Sequence, residues 1–340
     1  MTATLERPTR VGAVPAPTPV EQSRRHRTRL VLGVLVVLLL GAVAAYLLVD
    51  LRGSWAYALD LRTRQLSALV VVGVAVGVSS TMFQTVAGSR ILTPGVMGFD
   101  SLYLLIQTLV VYLFGSTTLL LMGAPTRFAV NVTALTLFGL LLFRWLFRRS
   151  SRNLFVLVLV GVVCGALFGS LTSFASRLLS PDDYLTLQDV MFASFNRVDV
   201  DLLWITAAVT VAGCLAAARL ARALDVVDLG HDVAVGLGLP YHRVVTLSLV
   251  VVTVLVATST ALVGPMMFLG LIVANVARQL LPTFRHAVLL PAAALVGALC
   301  TVLGQTVVAH VFDHTTTLSV VVNLVGGLYF LFLLTRTARL

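Results

Sequence analysis

Apolar runs separated by short polar breaks extend along most of the chain after residue 29. Runs of spanning length occupy residues 30–49, 66–87, 96–115, 125–147, 154–174, 202–220, 243–263, 265–281, 287–309 and 318–335. A helix needs about 20 apolar residues to cross the hydrocarbon core of a bilayer. Backbone polar groups in lipid must be satisfied within their own segment, so each run is expected to be helical. The pattern predicts an all-α, polytopic membrane helix bundle of about ten transmembrane helices over residues 30–340.

The first 29 residues have a different composition. They combine prolines with an arginine cluster, namely Pro8, Pro15, Pro17, Pro19, Arg24, Arg25, Arg27 and Arg29. This composition cannot bury a core, so residues 1–29 are predicted to be a disordered cytoplasmic tail. The run 30–49 is too long for a signal-peptide core and lacks a small-residue cleavage site before Asp50, which favours a retained first span.

A polar segment at residues 219–243 interrupts the apolar C-terminal half. Each charge in it would cost roughly 2.5 to 3.5 kcal/mol at the centre of a membrane helix, so the segment is expected at a membrane surface. Leu229, Val233 and Leu237 recur at a helical spacing of four, and glycines and a proline follow. The pattern predicts a short amphipathic helix and then a turn. This element either rests among lipid headgroups or is gripped by a soluble partner.

Composition supports the membrane class and sets the orientation. Hydrophobic residues make up 59% of the chain, charged residues 11%, and the mean hydropathy is +1.00. The formal charge of +10 comes from arginines scattered between apolar runs, without a basic face for nucleic acid. With a cytoplasmic N-terminus, about three-quarters of these arginines lie inside. The bias predicts an even number of spans in the cell membrane, with both termini cytoplasmic.

Charged side chains are scarce within the predicted spans, which contain no Glu or Lys. Ion-coupled transporters commonly keep such groups near mid-membrane. Asp100 is the one candidate, and its position near the cytoplasmic end of the third span favours a capping or loop role. A secondary transporter of an amphipathic solute remains an alternative.

Enzymatic chemistry has little support in the sequence. Residues 77–80 read Gly-Val-Ser-Ser and match a short Gly-x-Ser-x pattern of some membrane serine proteases, but no histidine is predicted near the depth of Ser79. An intramembrane serine hydrolase is therefore a weaker alternative. The chain contains no lysine, so it has no P-loop, and any ATP-driven function requires a second polypeptide. No metal or cofactor is expected, because Cys164, Cys214 and Cys300 lack ligand spacing.

A stripe of small residues runs along the fifth span at Gly161, Gly165, Gly169 and Ser173. Such a stripe lets a neighbouring backbone approach closely. It also suits the wall of a substrate passage, with Phe168 as a candidate obstruction. The pattern alone leaves both readings open.

Three stretches resemble a known family of permeases. They are Phe-Gln-Thr at 83–85 with residues 90–103, residues 261–278 with Gly-Pro and Phe-Leu-Gly-Leu-Ile, and residues 323–330 with Gly-Gly-Leu-Tyr-Phe. Together they are similar to the FecCD-type permease subunits of ABC importers for iron chelates and vitamin B12. Ala274-Asn275 replaces the family's usual Pro-His. This departure resembles the branch that imports catecholate or mixed-ligand siderophores such as enterobactin, petrobactin or anguibactin.

The resemblance implies a type II ABC importer permease that moves a ferric siderophore into the cytoplasm. The siderophore would not be chemically altered by this chain. It implies separate ABC ATPase subunits, a different sister permease rather than a second copy of this chain, and an extracytoplasmic siderophore-binding protein. The loop at about 221–242 would couple to the ATPase through Leu224, Asp228, Leu229, Asp232, Val233, Gly236, Leu237, Gly238 and Pro240. The translocation path would use Gly161, Gly165, Phe168, Gly169, Ser173, Asn323, Gly326, Gly327 and Phe330. Arg52, Arg62 and Arg64 would dock the binding protein.

Overall fold

The computed structural model describes residues 19–48, 55–149, 154–195, 198–281, 283–312 and 316–337. These residues form twelve α-helices and no strand. The helices are α1 Pro19–Leu48, α2 Trp55–Ala87, α3 Phe99–Leu121, α4 Ala124–Arg149, α5 Leu154–Ser176, α6 Pro181–Met191, α7 Val200–Val227, α8 His231–Gly236, α9 Tyr241–Val263, α10 Leu269–Leu280, α11 His286–Val311 and α12 Leu318–Thr337. A 3₁₀ turn, Pro94–Met97, precedes α3.

Eight of these helices are long and apolar enough to cross a membrane, namely α1, α2, α3, α4, α5, α7, α9 and α11. The apolar parts of α10 and α12, Leu269–Leu280 and Leu318–Phe332, are shorter. Every predicted run overlaps one helix, which confirms the all-α membrane bundle. The run at 265–281 is nevertheless not one continuous spanning helix, because Gly264 has φ +103° and the chain stays non-helical until Leu269.

Two boundaries from the sequence also differ from the structure. Helix α1 begins at Pro19, inside the predicted tail at 1–29, and residues 1–18 lie outside the described residues. The coupling loop predicted at about 221–242 is shorter, because α7 continues to Val227 and α9 begins at Tyr241. Apolar residues alternate with the charged ones between residues 219 and 227, and they extend α7 into the polar segment.

Helix α2 lies at the centre of the bundle and packs against α11, α9, α7 and α10. Where α2 crosses α11, Gly73 and Gly297 bring the two backbones into contact. Beside that crossing, the Thr301 hydroxyl donates to the carbonyl of Leu69 at 2.8 Å. Helices α3, α4 and α5 form a second group that α9 joins to the centre. The chain therefore has a tightly packed middle and less enclosed flanking helices.

Candidate transport and coupling sites

The surface segment between α7 and α9 folds into the short helix that its pattern predicted. Gly230, with φ +98°, precedes α8. Gly238, with φ +80°, follows it in a left-handed turn that lets the Leu239 amide donate to the Ala234 carbonyl at 3.1 Å. Ala234 is buried against the bundle, and so is Leu224 on the last turns of α7. These two side chains hold α8 in place from behind.

The apolar stripe of α8 faces away from the protein. Leu229, Val233 and Leu237 are 58%, 51% and 65% exposed, and Val235 is exposed beside them. We call these four residues the α8 knob. An amphipathic helix ordinarily turns its apolar stripe toward the core. Because Ala234 already makes the core contact, the knob is left as an exposed apolar surface, which is the arrangement expected of a docking site.

The polar residues of this segment surround the knob. Asp228 caps α7, Gly236 ends α8, and both are exposed, as are Asp232 and Pro240. The Asp232 carboxylate lies 2.9 Å from His231 Nδ1.

A buried polar network lies directly behind the α8 segment. Asp225 on α7 accepts hydrogen bonds from the backbone amide of His286 at 2.6 Å and from its Nδ1 at 2.8 Å. His286 Nε2 lies 2.7 Å from the Thr85 hydroxyl, which also accepts from Arg278 Nη2 at 3.0 Å. The imidazole of His286 on α11 thus contacts α7 and α2, and the Thr85 hydroxyl extends the network to α10. The partners of His286 lie too far away along the chain to be recognised from a local sequence pattern.

The small-residue stripe of α5 divides into two parts. A Cβ on Gly161 would lie 2.9 Å from Met97 Cβ, and one on Gly165 would lie 3.2 Å from Gly98 Cα, so both glycines pack against the 3₁₀ turn. Gly169 has open space beside it, and Ser173 is exposed. Phe168 contacts Phe138 edge to face, with ring centroids 5.3 Å apart.

A cleft of about 500 Å³ opens where α5 meets α6. Its walls include Thr172, Ser173, Ser176, Arg177, Tyr184 and Met191. Arg177 is the one charged side chain among the described residues of this lining. The cleft continues the open half of the α5 stripe toward the end of the helix.

Helix α6 is fixed beside the cleft by Asp183. Its carboxylate accepts from the Ser116 amide at 3.0 Å and from the Ser180 hydroxyl at 2.7 Å. Hydrogen bonds from Ser116, followed by that from Ser180, hold the pKa of Asp183 below its usual value. Ser116 follows Gly115, whose φ of +80° interrupts α3 and frees the amide for this bond.

The candidate path residues of α12 lie in a different setting. Gly326 packs against Phe268, whose ring centroid is 6.3 Å from that of Phe330. Asn323 has a buried side-chain oxygen without a hydrogen-bond partner, and Gly327 faces open space. Helix α12 packs against α10 and α11, whereas α5 packs against α3 and α4. The two groups of path residues therefore line different faces of this chain.

The three arginines predicted to dock a binding protein differ in their surroundings. Arg62 Nη1 donates to the carbonyls of Tyr46 and Leu47 at 3.1 and 3.2 Å, which fastens α2 to the end of α1. Arg64 forms an ion pair with Asp60 at 2.7 Å and is half exposed. Arg52 lies outside the described residues.

The serine considered as a nucleophile is buried on α2. Ser79 Oγ donates to the Val76 carbonyl at 3.2 Å, and no histidine lines the small cavity beside it within the described chain. The arrangement required to activate a serine is not assembled at this position.

Eight spanning helices, a cleft at one end of α5 and an apolar knob on a connecting segment define a polytopic membrane permease. The chain belongs to the FecCD transport family, whose model matches residues 29–336.

Individual relatives agree with this assignment. The petrobactin import system permease protein YclO of Bacillus subtilis is 42% identical over 310 residues, covering 91% of this chain and 98% of that protein. FatC of Bacillus anthracis, also a petrobactin import system permease protein, is 32% identical over 273 residues, or 80% and 77% of the two chains. The ferric enterobactin transport system permease protein FepG of Escherichia coli is 28% identical, covering 81% of each chain.

The fold matches that of a metal-chelate type ABC transporter solved in an inward-facing conformation. The TM-score is 0.78 at 21% identity, and the match covers 91% of this chain and 99% of the other. These comparisons confirm the resemblance inferred from the three sequence stretches.

Proposed function

We propose that this chain is the transmembrane permease subunit of an ABC importer that carries a ferric siderophore into the cytoplasm. The observation that carries this proposal is the α8 knob in a member of the FecCD family. A partner that closes on ATP could grip the knob and move the attached α7 and α9. Leu224, Asp228, Asp232, Gly236, Gly238 and Pro240 shape or surround the knob and complete the coupling segment.

The substrate class follows from the relatives and from the cleft. The names of the relatives at 42% and 32% identity specify petrobactin import. Iron-binding catecholate and carboxylate groups are negatively charged oxygen acceptors, and Arg177 in the cleft is suited to bind them. We assign substrate contact to Gly169 and Ser173 on α5 and to Arg177 directly after it. Gly161, Gly165 and Phe168 maintain the packing behind them.

The path requires a second permease. Helices α5 and α12 face different neighbours within this chain, so a partner's helices would complete the passage along both. Bacillus anthracis has two petrobactin import permease proteins, FatC and FatD, which supports a different sister permease here. Asn323, Gly327 and Phe330 would face the passage from α12, with Gly326 setting the position of that helix.

The remaining partners lie on the two sides of the membrane. ABC ATPase subunits would bind the α8 knob in the cytoplasm, where both chain termini also lie. A siderophore-binding protein would dock on the opposite side at Arg52 and Arg64. Arg62 would have the structural task of joining α1 to α2, because its guanidinium is already committed to two carbonyls.

The coupling assignment is tested by Leu237→Glu, which places a charge in the knob without disturbing the core. The tagged chain would be extracted from its native membranes in mild detergent and its companions identified by mass spectrometry. The unaltered chain should carry a soluble ATPase and a second permease, and Leu237→Glu should lose the ATPase while retaining the permease. Leu178→Glu, at an exposed apolar residue after α5, should retain both.

Two results would contradict the proposal. If the Leu237→Glu variant still co-purifies with the ATPase, the α8 knob is not the site that binds the ATPase. A chain that purifies alone, with uptake abolished by collapse of the proton gradient while ATP stays high, would identify a secondary transporter.

A further inference from the structure

Two interruptions of helical structure meet inside the bundle. One lies between α2 and α3, and the other is the non-helical stretch from Gly264 to Phe268 between α9 and α10. Thr93, Pro94 and Gly95 from the first, and Gly264, Met266 and Met267 from the second, line one cavity of about 30 Å³. In membrane transporters, broken helices of this kind supply backbone and side-chain oxygens to bound ions.

Side-chain oxygens from four segments line this cavity. Ser79 and Ser80 come from α2, Ser259 and Thr260 from α9, Thr93 from the first interruption and Asp100 from α3. Ser79 and Ser259 donate their hydroxyl hydrogens to the carbonyls of Val76 and Val256, at 3.2 and 3.1 Å. A hydroxyl that has donated its hydrogen offers only lone pairs to other neighbours. These two serines therefore act as acceptors toward the cavity.

Two further oxygens lack any protein partner. Asp100 is 4% exposed, and both its Oδ2 and the Thr93 hydroxyl are buried without a hydrogen bond. A buried charge without a partner is costly, so such groups are ordinarily paired or bound to an ion. Asp100 lies in the first turn of α3, so a bound cation at this position would offset the cost of burying its carboxylate. It is the one charged side chain among the described residues that line the cavity.

The size and charge of the cavity restrict what it can hold. About 10–15 Å³ is needed for one water-sized particle, so the cavity has room for two or three, enough for an ion with a water beside it. One carboxylate balances one positive charge, whereas a divalent ion would leave an excess charge in a low-dielectric interior. Oxygen ligands of this kind suit hard cations.

We propose that this cavity binds a single alkali cation, with Asp100 as the charged ligand and the hydroxyls of Thr93, Ser79 and Ser259 as neutral ligands. The bound ion ties together α2, α3, α9 and the segment between α2 and α3. This site is additional to the proposed import function and does not depend on it.

Cation binding can be measured on the full chain, purified with the subunits that accompany it. Saturable binding of radioactive Na⁺ would be combined with thermal unfolding in NaCl or KCl against N-methylglucamine chloride at equal ionic strength. We expect about one ion per chain and a midpoint that rises with the alkali cation concentration, since binding to the folded state stabilises it. Competition by K⁺ would distinguish the preferred ion.

Three variants give the test its specificity. Asp100→Asn should abolish binding and the cation-dependent shift, whereas Asp60→Asn, which removes an exposed carboxylate, should change neither. Thr93→Val keeps the side-chain shape and removes one ligand, so the affinity should fall roughly tenfold. If Asp100→Asn does not fold, Thr93→Val carries the test.

Several outcomes would overturn the proposal. Absence of saturable alkali binding would do so, as would a midpoint that responds to pH but not to alkali cations, which would identify a proton as the occupant. Unchanged affinity in Thr93→Val, or retained binding in Asp100→Asn, would remove these residues from the site.

Discussion

At the residue scale, glycines determine which helices of this bundle come into contact. Gly73 on α2 and Gly297 on α11 meet backbone to backbone, and Gly77 lies against the carbonyl of Ala293 one turn further along. A side chain at any of these positions would separate the two helices. The close crossing of α2 and α11 therefore requires glycine at these positions.

Gly297→Ala is expected to destabilise the protein. Its methyl group would overlap the Gly73 carbonyl, and forcing extra atoms into a packed interface costs about 1–3 kcal/mol. The measurement is the thermal unfolding midpoint in detergent. Gly41→Ala on α1, with no atom within 4 Å of the added Cβ, is the matched control and should leave the midpoint unchanged or slightly higher. Equal midpoints for both variants would contradict the close crossing.

Single residues were the hardest to predict from sequence. Asp100 was expected to cap a helix or lie in a loop, yet it is buried in a cavity that Ser79 and Ser259 also line. His286 is fully buried between Asp225 and Thr85. Both environments are made by residues far apart in the chain, so no local pattern reports them. The outward-facing Leu229, by contrast, belongs to a local stripe and was recognisable.

At the element scale, helix α6 shows what the apolar pattern could not predict. No predicted run covers it, because a polar helix of eleven residues leaves no membrane signal. Helix α6 is positioned by Asp183, whose carboxylate accepts a hydrogen bond from the Ser116 amide at the break in α3. One carboxylate therefore holds a surface helix against a membrane helix beside the cleft.

Asp183→Asn should loosen α6 at neutral pH. The folded-state pKa of Asp183 is lowered, so its contribution is present above the unfolded pKa and is lost only as the pH falls through the folded value. Hydrogen exchange at the Ser116 amide, corrected for intrinsic rates, should be faster in the variant and unchanged in the unaltered protein between pH 7 and pH 5. Asp182→Asn, at the neighbouring exposed carboxylate, should exchange as the unaltered protein does.

Runs that are unbroken in sequence can be broken in structure. The predicted span at 265–281 is mostly apolar, but Gly264 has φ +103° and helix resumes only at Leu269. The Val263 carbonyl, released at this break, accepts from the Ser194 amide at 2.8 Å. Hydropathy measures whether a segment can lie in lipid, whereas the break depends on a partner elsewhere in the bundle.

At the scale of the whole molecule, the fold was largely predictable from sequence. Apolar runs predict which segments are helical and in what order, since lipid leaves a chain few alternatives to helix. Helix neighbours were not predictable in the same way. Contacts such as Gly73 with Gly297, or Thr85 with His286, join positions about 200 residues apart.

The positive-inside bias predicts on which side each end of the bundle lies. In a background with Cys164, Cys214 and Cys300 replaced by alanine, Leu237→Cys and Leu178→Cys would be labelled with a membrane-impermeant maleimide. Both positions are exposed in this chain, so in cells without the partner subunits the membrane alone decides their access. Leu178→Cys should react with the maleimide in intact cells whose outer envelope admits the reagent. Leu237→Cys should react only after the cell membrane is opened. The reverse pattern would invert the orientation and place the α8 knob outside.

The glycine crossing of α2 and α11 gives the molecule a fixed internal reference. Packed helices slide past each other by changing the rotamers of the side chains between them. At Gly73 and Gly297 no side chain lies between the helices, and the Thr301 hydroxyl fastens the pair to the carbonyl of Leu69. A distance between probes on these two helices should therefore stay constant through every state of the protein. Displacements of α5, α8 and α12 can be measured relative to this constant distance.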